Sequence, residues 1–144
     1  MAFLDSLLCY AIIVFTIQTF VLVRQALFYQ KYAKKSIKID WISDSCAIFL
    51  SPLIEELLFR HLLKKYLGNI PYANTINSVL FGVIHMGNMY DKPITYIWGA
   101  LIQSLLGTYC GMVLIRKPFW TGVLIHCLHN SFVVFTYYIL YLLV

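Results

Sequence analysis

Apolar residues run almost unbroken from Leu7 to Val23, Trp41 to Phe59, Ile94 to Ile115 and Trp120 to Val144, with a shorter run from Tyr72 to His85. A helix needs roughly 17–25 residues to cross a bilayer. The pattern therefore predicts an all-α fold, a polytopic membrane helical bundle of about five transmembrane helices. The runs are separated by the breaks such a bundle requires: a polar stretch around Lys31 to Lys38, Gly68-Asn69 ahead of Pro71, Gly87 to Pro93, and Lys117-Pro118. No long linker divides the chain, so residues 1–144 read as a single integral membrane domain, a core of about 41–144 preceded by one extra helix over 7–26. The first run has Asp5 and no Lys or Arg before it, and no small-residue cleavage site after it, which predicts a retained helix rather than a signal peptide.

Spacing within the runs orients them. The third helix is expected to start at Pro71, whose missing N–H costs nothing at a helix start. In it Asn74, Ser78, Phe81 and His85 recur every three or four residues and share one face. That face is expected to point into the bundle, because amides and imidazole facing lipid would be unsatisfied. In the fourth helix Gly99, Gln103, Gly107 and Gly111 repeat in steps of four, a small-residue seam that lets a neighbouring helix come close.

Composition strengthens the membrane reading: 61% of residues are hydrophobic and 12% charged, which excludes an ordinary water-soluble domain. The net charge of +5 comes largely from Arg24, Lys31, Lys34, Lys35 and Lys38. Beside a membrane span this cluster marks a cytosolic loop in contact with anionic lipid headgroups, and it makes a poor nucleic-acid surface. Cys9, Cys46, Cys110 and Cys127 lie in apolar stretches with no CxxC pair and read as small core hydrophobes. Cys127 adjoins His126, but neighbouring helical residues point about 100° apart, which argues against a thiol–imidazole pair.

The costly positions are the polar ones inside these runs. Glu55 and Glu56 interrupt the second run and are followed by Arg60; each such charge at a helix centre costs roughly 2.5–3.5 kcal/mol on insertion scales, against about 0.3–0.6 returned by each Ile, Leu or Phe. Glu56 and Arg60 form the natural i,i+4 ion pair, leaving Glu55 turned away by about 100°. Phe81 with His85, and His126 with Asn130, are likewise i,i+4 pairs, the last presenting an imidazole and a carboxamide together to a developing negative charge. A carboxylate, two imidazoles, an amide and a guanidinium in one apolar bundle are the inventory of a hydrolytic site. Three other uses of the same groups stay open: a polar network that only fixes helix register, a non-enzymatic scaffold, and a zinc site drawing on Glu55 and the histidines, with His126 and His129 at i,i+3 but no HExxH motif.

SPLIEELLFR, FGVIHMGN and IRKPFWTGVLIHCLHN, taken in this order, resemble the successive motifs of the CAAX protease and bacteriocin-processing family, the intramembrane glutamate proteases that include the Ras-converting enzyme. The resemblance runs from about Ser51 to Ser131. It implies that residues 41–144 are a catalytic core, with Glu55 as catalytic glutamate, His85 as the histidine that helps it activate water, and His126 with Asn130 as the oxyanion-stabilising pair. Glu56 and Arg60 match the supporting positions of the first motif. The implied activity is a metal-independent, cofactor-free endopeptidase acting on a protein or peptide substrate, with or without a prenyl group. Some relatives serve in bacteriocin immunity, the non-enzymatic alternative.

Overall fold

Glu55 and Glu56 lie near the middle of a helix that is not uniformly α-helical. In the computed structural model, which describes residues 4–5, 7–13, 15–16, 19–20, 40–62, 65–66, 72–88, 93–113, 115 and 117–143, all regular structure is helical. The described positions between 4 and 20 form helix α1. Helix α2 follows as one continuous segment of alternating pitch: α-helical over Trp41–Ser45, π-helical over Cys46–Leu50, α-helical over Ser51–Glu56 and π-helical again over Leu57–Leu62. Asp40 caps its start by accepting the N–H of Ser43 at 3.2 Å. Helix α3 spans Ala73–Ile84 and ends in a 3-10 turn, His85–Asn88; α4 spans Pro93–Val113 and α5 spans Phe119–Leu143.

Helices α3 and α4 form the most extensive pairing, and α5 packs against both α4 and the middle of α2. The buried core is Phe59 of α2, Phe81 of α3, Leu106, Tyr109, Cys110 and Val113 of α4 and Ile125 of α5. Helix α1 closes over it: Tyr10 stacks on Tyr109 with ring centroids 4.3 Å apart and planes within 6°, and Phe15 lies 4.8 Å from Phe132. The seam expected along α4 is used against α3 and α2. A Cβ at Gly107 would come within 2.8 Å of the Arg60 guanidinium and 3.3 Å of the Ser78 Cα. Gly82 on α3 faces the hydroxyl of Ser104 and the carbonyl of Ala100 across the same interface, where a Cβ has no room. Gly82→Ala is therefore expected to push α3 from α4 and cost about 1–3 kcal/mol, read as a lower thermal midpoint of the detergent-solubilised protein.

Two boundaries differ from expectation. Helix α3 begins at Ala73, entered through Tyr72 in the left-handed region at φ 63°, rather than at Pro71, which lies outside the described residues. Helix α2 runs on to Leu62, three residues past the end of its apolar run at Phe59, because Arg60 is buried on the inner face. Among the described helices only α5, over Phe119–Thr136, is by itself long and apolar enough to cross a bilayer; Ala73–Ile84 and Gly99–Val113 are shorter apolar helices. Large apolar side chains nonetheless face outward from every helix, among them Phe15, Phe49, Ile54, Val83, Leu101 and Leu128. The basic cluster from Lys31 to Lys38, Arg24 before it and the break at Gly68-Asn69 lie outside the described residues.

Candidate active site

Three helices bring three of the chemistry-bearing side chains to one point. The Glu55 carboxylate extends from α2 so that Oε2 lies 3.2 Å from Nε2 of His85, at the end of α3, and 3.6 Å from Nε2 of His126, on α5. The other oxygen, Oε1, accepts a short hydrogen bond from the Ser51 hydroxyl one turn earlier on α2. Ser51 thus occupies one carboxylate oxygen and leaves Oε2 to the two imidazoles. Glu55 is 19% and His85 13% exposed at the side chain, so the pair is partly exposed, whereas His126 is 1% exposed.

Each imidazole is oriented by its second nitrogen. His85 Nδ1 is 2.7 Å from the carbonyl of Phe81, and since a carbonyl only accepts, Nδ1 carries the proton and donates. Nε2 then faces Glu55, and one proton lies between ring and carboxylate, because a bare lone pair against an ionised oxygen would repel. His126 is held from the other side: its Nδ1 is 3.1 Å from Oε1 of Glu56. The adjacent glutamates, pointing apart around the helix as their positions require, therefore reach the two opposite nitrogens of one ring.

Glu56 is wholly buried and also faces Arg60, with Oε2 3.7 Å from Nε of the guanidinium. Arg60 lies over the Phe81 ring, its Cζ 4.9 Å from the centroid. Phe81 touches most of the site, lying 4.4 Å from the His85 ring, 5.6 Å edge-on from His126 and 5.1 Å edge-on from Phe59. It is a fully buried wedge that fixes the separation of the three helices.

Asn130 is placed differently from the other residues singled out by sequence. It lies one turn beyond His126 on α5, and its Nδ2 donates to the backbone carbonyl of Ala47 at 2.8 Å. Among the described residues no hydrogen bond joins it to Glu55, His85 or His126. Two residues with clear roles in the arrangement carry no weight in the sequence reading. Ser51 stands within the first motif at i,i−4 from Glu55, a spacing that is enough to flag it. Asn77, buried on α3, donates its amide to the carbonyl of Phe59 in a short bond, tying α3 to α2; it belongs to no i,i+4 pair of chemical groups, so local spacing gives no signal. His129, weighed as a zinc ligand, is buried with Nδ1 3.3 Å from the hydroxyl of Tyr10 on α1. Among the described residues no three His, Cys, Asp or Glu side chains have the spacing of a metal-ligand set.

Residues 39–132, more than half of the chain, match the family described as type II CAAX prenyl endopeptidase Rce1-like. No curated protein and no solved structure matches the chain.

Proposed function

Because the chain belongs to the Rce1-like family of type II CAAX prenyl endopeptidases, a membrane-associated family of peptidases, we propose that it is an intramembrane endopeptidase in which Glu55 activates water without a metal. The observation that carries this reading is the convergence of Glu55 Oε2 with Nε2 of His85 and of His126, at 3.2 and 3.6 Å. Glu55 and His85, sharing one proton, form a base that can accept a proton from water and later return it to the departing amine. Water attacks the scissile carbonyl and the resulting oxyanion is met by donors from α5. His126 can supply an Nε2–H donor, its ring held in place by Glu56 Oε1 at Nδ1, 3.1 Å away. Asn130 has two amide hydrogens; one is engaged by Ala47 and the second remains for the oxyanion.

The apolar exterior and the lengths of the sequence runs support a multi-pass bundle in which α1 to α5 all sit in the bilayer, so that the substrate reaches Glu55 from the lipid phase or its edge. A protein or peptide substrate follows from the family, and the proposed substrate carries a prenyl group. The zinc alternative is separated by one test. Exhaustive chelation of the purified protein should leave peptide cleavage unchanged, with no stoichiometric zinc by elemental analysis. Loss of cleavage on chelation that added zinc restores would replace the metal-free route with a zinc-bound water.

A further inference from the structure

The first π-helical turn of α2 has a chemical consequence for Asn130. In that turn the N–H of residue i bonds to the carbonyl of residue i−5, as the Ser51 N–H does to the carbonyl of Cys46. The next donor in this register belongs to residue 52 and would reach the carbonyl of Ala47. Residue 52 is Pro52, which has no N–H. The Ala47 carbonyl is thereby left without its intrahelical donor, and it is this oxygen that the Asn130 amide meets at 2.8 Å.

We propose that Pro52 is a positioning residue for the site: by stripping Ala47 of its helical donor it presents a carbonyl that captures one amide hydrogen of Asn130 and so fixes the direction of the other. A free carboxamide turns about its last side-chain bond with little resistance. One held by a carbonyl keeps its plane, and its second N–H points one way. Pro52 is buried and lies three residues before Glu55, so the same turn that carries the carboxylate also sets the amide. Ala47 is exposed, and in the bilayer proposed above lipid would offer its carbonyl no replacement donor, which makes the bond to Asn130 stabilising as well as orienting. The tether stands on geometry alone; its catalytic consequence rests on the reading of Asn130 as an oxyanion donor given above.

The test is a cycle of four full-length proteins in detergent: wild type, Pro52→Ala, Asn130→Ala and the double variant. Thermal midpoints and steady-state kinetics on a prenylated C-terminal peptide are measured for each. Asn130→Ala should lower the midpoint by roughly 3–6 °C in the wild-type background, where the carbonyl is orphaned. In the Pro52→Ala background the loss should fall below about 1 °C, because an alanine at that position supplies the missing N–H. If Asn130→Ala fails to fold, its recovery by Pro52→Ala is the expected result, and failure in both backgrounds overturns the tether. Pro52→Ala alone should lower kcat by about tenfold to a hundredfold with KM little changed, as a misaimed donor would. Equal midpoint losses in both backgrounds, or an unchanged kcat for Pro52→Ala, would overturn the proposal. Should the wild type cleave no peptide, the peptidase reading fails and the thermal cycle alone decides the tether.

Discussion

Glu55→Gln is expected to lower peptide cleavage by about 10²–10⁴-fold, the range attributed to a positioned general base, while the purified protein keeps its thermal midpoint. The amide keeps the shape of the carboxyl and can still accept from the Ser51 hydroxyl, so the fold has little reason to change. What is lost is the oxygen that takes a proton beside Nε2 of His85. The contrast with its neighbour is the informative part. If Glu55→Gln and Glu56→Gln gave equal losses of cleavage with unchanged midpoints, the division of labour between them would be wrong.

The largest effect on stability is expected at Arg60. Glu56 is fully buried and Arg60 nearly so, and removing one member of such a pair costs about 3–5 kcal/mol because the other charge is left uncompensated. Arg60→Met should therefore lower the midpoint of the solubilised protein sharply. Adding Glu56→Gln should restore part of the loss, since the stranded carboxylate is then neutral. The double variant should still cleave poorly, because His126 has lost the carboxylate that holds its Nδ1. Scanning calorimetry on the wild type and the two variants checks the stability terms, and non-recovery in the double variant would mean that Arg60 acts through packing on Phe81 rather than through charge.

The parts of this site that are legible in the sequence are those set by spacing along one helix. Glu56 and Arg60 meet at i,i+4, Glu55 diverges from Glu56 by its place around the helix, and an apolar chain has few other polar groups for His85 and His126 to meet. What spacing does not carry is pairing between helices. That Glu55 and Glu56 grip opposite nitrogens of His126 depends on where α5 crosses α2, and that Asn77 bonds Phe59 depends on how deep α3 sits. The α–π alternation of α2 is equally hidden, since its pitch is set by neighbours that supply donors to freed carbonyls. Counting spans places His85 near the far end of a short third helix. It does end that helix, yet the 3-10 turn from His85 to Asn88 leaves its ring 3.2 Å from Glu55.

The most direct measurement is a mass-spectrometric cleavage assay of purified wild-type protein, with Glu55→Gln beside it, against matched peptides bearing a C-terminal tetrapeptide with and without an isoprenoid on its cysteine. The account predicts one new carboxyl terminus from the wild type, formed with incorporation of oxygen from labelled water, and none from Glu55→Gln. Equal cleavage by both proteins would contradict it, because the bond would then be broken without the carboxylate on which the whole arrangement turns.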